Sequence, residues 1–155
     1  MEVIIHPTIK TKRSASYNFI LRVNDKIDVY IGNEESREAE KFDYIIEICN
    51  EDCTYDTLSY PVQESLQFQF NDVRTQPILG YLEKVNEFIN KTCKNEGKLL
   101  IHCGEGISRS ASIFIMYLIH NYKYTYIEAY NIVFAKRAVK PNVGFVKQLK
   151  RLCCM

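Results

Sequence analysis

Residues 99–112 read LLIHCGEGISRSAS. Leu99, Leu100 and Ile101 form a short continuous apolar run, the pattern of a strand covered on both faces. The chain then passes through Gly104 and Gly106 and opens at Ser110 into SASIFIMYLIHNY, an uncharged stretch that predicts a buried helix over 110–122. A buried strand, a glycine-containing loop and a helix N-terminus together build an anion site. Successive backbone N–H groups in a tight loop converge on one point, and the helix adds about half a positive charge. Cys103 stands at the start of this loop and Arg109 at its end, so a tetra-oxygen anion held there meets a sulfur on one side and a guanidinium on the other. Arginine grips two phosphate oxygens at once, which lysine does not.

Working outward, strands and helices succeed one another along the chain. Tyr17 to Val23 and Lys26 to Gly32 are rich in β-formers around Asn24-Asp25, a hairpin-type turn. Glu34 to Lys41 is polar and helix-forming, and Phe42 to Cys49 is a strand-like apolar run. Ser65 to Phe70 alternates strictly, with Leu66, Phe68 and Phe70 on one face. From Pro77 the period changes: Ile78, Leu82, Val85, Phe88 and Ile89 recur at helical spacing, with Pro77 in the first turn. Helices are also expected over Thr125 to Ala138 and Gly144 to Cys154. This order predicts an α/β layered domain.

The 155 residues and 18.2 kDa suit one domain, and no internal repeat or Gly, Ser or Pro tract divides them. Residues 1–16, with Lys10, Lys12 and Arg13, read as an exposed N-terminal arm. With 20 Lys plus Arg against 19 Asp plus Glu, the formal net charge is +1. That provides no global field for nucleic acid or an anionic membrane, so any bound anion must be held locally. The longest uncharged apolar stretch falls well short of the roughly 20 residues a membrane span needs. The opening MEVIIHPTIK carries charge and a proline where a signal peptide needs apolar residues, which predicts a reducing, intracellular compartment. The six cysteines, at 49, 53, 93, 103, 153 and 154, are then expected as thiols rather than disulfides. Their spacing completes no zinc set.

His102-Cys103-x-x-Gly106-x-x-Arg109-Ser110 resembles the signature of the cysteine-dependent protein tyrosine phosphatases. The form GISRSAS, the apolar helix after it and Pro141-Asn142-x-Gly144-Phe145 resemble the small, atypical dual-specificity branch. The resemblance extends from about Lys26 to Leu152. It implies a phosphatase-like α/β fold with a central, mostly parallel sheet of four to five strands flanked by helices, and a single catalytic domain over 17–155. It also implies hydrolysis of phosphotyrosine and phosphoserine or phosphothreonine through a phosphocysteine intermediate, with no cofactor and no metal. Phosphorylated proteins are the expected partners, with no nucleic acid and no membrane span, and a monomeric cytoplasmic or nuclear protein is expected.

The residue types suit that chemistry. A thiol becomes a strong nucleophile only when ionised, and a helix N-terminus beside an arginine favours the thiolate. Cys103 is the expected nucleophile. Arg109 and the loop residues Gly104, Glu105, Gly106, Ile107 and Ser108 would hold the equatorial oxygens. Ser110 would donate to the departing sulfur, and His102 would order the loop from beneath. Glu105 stands where the resemblance implies a small residue, and it is expected to face solvent.

A leaving alkoxide or phenoxide needs a proton, and two carboxylic acids precede the loop. Glu64 follows Pro61 in a Pro-x-x-acid pattern. Aligned backward from Cys103 without gaps, however, the acid position falls on Asp72, with Gln69 in place of the usual proline. Asp72 is favoured and Glu64 is the alternative. Two other readings keep the same loop: a pseudophosphatase that binds phosphorylated partners without turnover, and a phosphatase for RNA 5′-phosphates or a phosphorylated lipid or sugar.

Overall fold

The computed structural model describes residues 15–153. Most of the expected N-terminal arm, and Cys154, lie outside them. Five strands form one sheet: β1 (Tyr17–Val23), β2 (Ile27–Gly32), β3 (Tyr44–Cys49), β4 (Glu64–Gln69) and β5 (Gly97–His102). Their order is β1-β2-β5-β3-β4. Only β1 and β2 pair antiparallel, and β5 runs parallel to β2 on one side and β3 on the other. The hairpin turns at Asn24 (φ 52°) and Asp25 (φ 60°), both left-handed as a primed turn requires. The continuous apolar runs follow from position: every residue of β3 is buried, as is β5 from Leu99 onward.

Four α-helices cover the sheet: α1 (Leu82–Thr92), α2 (Arg109–Tyr122), α3 (Tyr126–Phe134) and α4 (Val143–Leu152). In α2 all ten residues from Ser110 to Ile119 are buried, because the helix lies between the sheet and the other helices. Truncating a core ring such as Phe114, which has no exposed surface, is expected to cost about 3–5 kcal/mol.

Three helical expectations are corrected. The polar segment after β2 is a 3-10 helix, Glu34–Glu38, with Asn33 Oδ1 accepting from the Glu35 and Ser36 N–H groups. After Pro77 the chain makes a 3-10 turn, Leu79–Tyr81, before α1 begins. There the Ile78 N–H donates to Gln148 Oε1 (2.7 Å), a tie to α4. The helix expected over Thr125 to Ala138 ends at Phe134, although Thr125 and Glu128 form the capping box that starts it. The residues past Phe134 turn inward, and Arg137, Ala138 and Val139 are buried.

Candidate active site

Strand β5 is the central strand of the sheet, so its C-terminal end delivers Cys103 to the middle of one sheet edge, where open α/β sheets form crevices. The loop from Cys103 to Ser108 links β5 to α2. Four successive loop carbonyls are occupied by donors from outside the loop. Gly104 O accepts from Glu34 N–H (3.1 Å) and Glu105 O from Arg137 Nη2 (3.1 Å). Gly106 O accepts from Arg137 Nε (2.8 Å) and Ile107 O from Lys140 N–H (2.8 Å). Because a peptide unit is planar and trans, each outward carbonyl sends the following N–H to the opposite side. The N–H groups of residues 105–108 are therefore turned into the loop, a concave nest for an anion. One of them, Gly106 N–H, points at Cys103 Sγ (3.3 Å).

Gly106 makes this path possible. Its φ is +70°, and a Cβ there would lie 2.5 Å from the carbonyl carbon and oxygen of Gly32. No residue with a side chain fits that position without displacing the end of β2.

Cys103 is 2% exposed, and its Sγ lies 3.2 Å from Ser110 Oγ in the first turn of α2. Arg109 opens the same turn. Its Nη1 donates to Asn50 Oδ1 (2.7 Å) and Phe70 O (3.1 Å), while its buried Nε makes no hydrogen bond among the described residues. Both partners are neutral, so the guanidinium charge has no carboxylate partner among the described residues. Among the described residues no group of three His, Cys, Asp or Glu side chains is arranged to hold a metal ion.

His102 lies beneath the loop, fully buried, with Nε2 2.9 Å from Glu47 Oε1. The same oxygen accepts from Arg37 Nε (2.6 Å), and Gln67 Nε2 donates to Glu47 Oε2 (3.2 Å). Glu47 is the β3 partner of His102 in the sheet register, which explains the pairing. Burial alone would raise the Glu47 carboxyl, but hydrogen bonds and charge from His102 and Arg37 outweigh it and push the group down to about 2. The Tyr55 ring packs edge-on against His102 at 4.8 Å.

A cleft of about 420 Å³ opens over the loop between Asp72, Glu105, Lys140 and Asn142, with Cys103 and Arg109 in its lining. Asp72 Oδ1 accepts from Ser108 Oγ (2.8 Å) and Asn142 Nδ2 (2.8 Å). Glu64 is elsewhere: it begins β4, at the end of this parallel strand remote from the loop, and pairs with Lys91 Nζ (2.9 Å). Glu105 is exposed on the cleft rim. Of the other thiols, Cys49 and Cys93 are pushed up by burial, and Cys49 Sγ donates to Cys53 O (2.9 Å).

Sequence reasoning missed four residues that shape the site. Glu47 carried a signal, as a lone carboxylate inside an apolar strand needs buried partners. Arg37, its partner, sits in a polar run that reads as surface. Asn50 gave no signal. Arg137, within AKRAVK, also reads as surface, yet it is 1% exposed and grips two loop carbonyls, Ala15 O (2.8 Å) and Asn18 Oδ1 (2.9 Å).

Residues 29–153 match the family model described as dual specificity phosphatase, catalytic domain. The chain belongs to this family. The dual specificity protein phosphatase MPK-4 of Drosophila melanogaster is 41% identical over 83 residues, 53% of this chain and 21% of that protein. The protein AMV078 of Amsacta moorei entomopoxvirus, named as a candidate tyrosine-protein phosphatase, is 37% identical over 133 residues, 79% of this chain and 81% of that one. The crystal structure of human DUSP28 superposes with a TM-score of 0.76 over 89% of this chain and 93% of the other, at 19% identity, a likeness of fold. The chain spans between 12% and 56% of the length of five curated relatives that it matches.

Proposed function

We propose that this protein hydrolyses phosphotyrosine and phosphoserine or phosphothreonine in phosphorylated proteins through a phosphocysteine intermediate. The observation that carries the reading is the loop itself. Four outward carbonyls turn the intervening N–H groups into the loop, one of them, Gly106 N–H, toward Cys103 Sγ, beside an arginine with no carboxylate partner among the described residues.

In the first step the Cys103 thiolate attacks phosphorus in line. The S–P bond forms as the P–O bond to the leaving group breaks, and Asp72 gives that oxygen its proton. The inward N–H groups and Arg109 hold the equatorial oxygens, whose charge redistributes in the transition state. In the second step water attacks phosphorus, Asp72 takes its proton, and the S–P electron pair returns to sulfur, where the Ser110 hydroxyl, 3.2 Å away, donates a hydrogen bond to the leaving thiolate. His102 and Glu47 support the loop from below and transfer no proton to substrate. No step draws on a metal or cofactor.

The test is turnover of phosphotyrosine, phosphoserine and phosphothreonine peptides by the purified chain and by Cys103→Ser. Loss of turnover in the variant, with phosphopeptide binding retained, is the expected result. Hydrolysis that continues unchanged in Cys103→Ser overturns the proposal. Binding by the unaltered chain without any burst of product would instead favour the pseudophosphatase reading.

A further inference from the structure

The acid does not stand alone in the cleft. Ser108 Oγ donates to Asp72 Oδ1 and accepts from the Asn142 N–H (3.0 Å), while Asn142 Nδ2 donates to the same Asp72 oxygen. These three residues come from three parts of the chain: the segment after β4, the end of the phosphate loop and the cap of α4. The contact between the first and the last is close along the backbone as well, because a Cβ on Gly144 would overlap the Arg74 backbone. Asn142 uses both ends of its amide. Oδ1 caps α4 by accepting from the Phe145 N–H (2.9 Å), and Nδ2 reaches Asp72. The helix therefore fixes the amide orientation, and the amide fixes the carboxyl.

We infer that Asn142 and Ser108 are positioning residues that select which oxygen of Asp72 carries the catalytic proton. Oδ1 receives two donors, so it is the oxygen without the proton. Oδ2 makes no hydrogen bond among the described residues, and it is the oxygen that protonates and faces the leaving group. As the P–O bond breaks, the Oδ2–H proton passes to the leaving oxygen and the carboxylate charge is received by Oδ1 on its two donors. Without them the carboxyl rotates about its terminal torsion, which has broad wells, and the proton spends less time on the productive side. Misplacing a reacting group by about 1 Å costs about 10²-fold in rate. The inference rests on Asp72 being the acid.

Asn142→Ser separates this role from the cap, since serine caps a helix as well as asparagine does but does not reach Asp72. Asn142→Asp is the second variant, retaining the cap and removing the donor. The substrates are p-nitrophenyl phosphate, whose leaving group needs little protonation, and a phosphoserine peptide, whose alkoxide needs it fully. Both variants are expected to lower kcat on the phosphoserine peptide about tenfold and on p-nitrophenyl phosphate less than about threefold, with KM nearly unchanged. Asp72→Asn is expected to show the same selectivity with a larger loss, about 10²-fold. In the Asp72→Asn background, Asn142→Ser should add nothing, because the group it positions is already gone. Selective loss in Asp72→Asn with equal losses on both substrates, or none, in the two Asn142 variants overturns the inference and leaves Asp72 as the acid. Unselective loss in Asp72→Asn overturns both. Thermal unfolding of each variant, expected to match the unaltered chain within a few degrees, shows that the cap has survived.

Discussion

Arg37, linked to the loop through Glu47 and His102, and Arg109, at the loop's end, are held in opposite ways. Arg37, 8% exposed, meets the Glu47 carboxylate at 2.6 Å and the Asp56 carbonyl, so its charge is balanced inside the protein. Arg109 meets an asparagine oxygen and a backbone carbonyl, and its Nε makes no hydrogen bond among the described residues. Burying a charge without a counter-charge is costly, so buried Arg37 needs Glu47, whereas Arg109 is only partly buried and lines the open cleft, where its charge can stand without a carboxylate partner. The difference teaches which arginine belongs to the fold and which to a ligand. The neutralised one serves the fold, and the one held by neutral oxygens is the one to which the proposed function gives the phosphate.

The largest effect expected from this contrast is at Arg109. Arg109→Ala should lower kcat/KM by about 10³-fold or more, roughly 4 kcal/mol of transition-state stabilisation, with little change in thermal stability. Steady-state kinetics beside a melting curve reads both. If the variant instead unfolds while its specific activity persists, the contrast is broken.

Glu47→Gln should do the reverse. It leaves the Arg37 charge buried without a counter-charge and is expected to cost about 3 kcal/mol of stability by urea unfolding. Glu47 also sharpens the contrast through pH. Its folded pKa of about 2 lies below the ordinary carboxylate value near 4.5, so it contributes stability that is fully present above about pH 4.5 and is lost as pH falls toward 2. The unaltered chain should show this loss, and Glu47→Gln should show a shallower decline between the same limits. A larger drop in kcat/KM for Glu47→Gln than for Arg109→Ala would overturn the assignment of scaffold and site.

The smallest effect is expected at Glu64, the alternative acid in the sequence. Its ion pair with Lys91 is exposed at both ends, and such pairs contribute about 0–1 kcal/mol. Glu64→Gln should leave kcat on the phosphoserine peptide unchanged and stability within about 0.5 kcal/mol. A selective loss on that substrate would move the acid from Asp72 to Glu64.

Local pattern carried much of the fold. The apolar runs at 42–49 and 99–101, the Asn24-Asp25 turn and the unbroken apolar stretch after Arg109 each have one dominant physical cause that acts over a few residues. They are strands with two covered faces, a turn with left-handed φ, and a helix with neighbours on every side. The end of α3 was not legible, because Ala135 to Ala138 has no Gly or Pro to stop a helix. It stops where Arg137 is drawn to carbonyls 31 and 32 residues earlier in the chain. In the site, Cys103, Arg109 and Ser110 were legible because their spacing is local. The floor of Glu47 and Arg37 and the clamp of Arg137 are long-range, and single charges in polar stretches look alike whether they face water or a loop. Asp72 falls between these cases: its position in the chain was readable, while the Ser108 and Asn142 donors that hold it depend on three segments meeting.

The sheet order also has a consequence for synthesis. Strands β1 to β4 leave the ribosome before β5, yet β2 and β3 have no hydrogen bonds to each other and are joined only through β5. A nascent chain that has reached residue 96 thus lacks the strand that joins β1-β2 to β3-β4, and unpaired strand edges are prone to mispairing. The sheet is complete only with β5 in place between β2 and β3, and the loop that follows is held fully only once Arg137 and Lys140 have emerged. The loop is thus the last part of the sheet's C-terminal edge to be secured, and a nascent chain stalled between β5 and Arg137 should have all five strands while its loop lacks three of the four donors that hold the carbonyls outward.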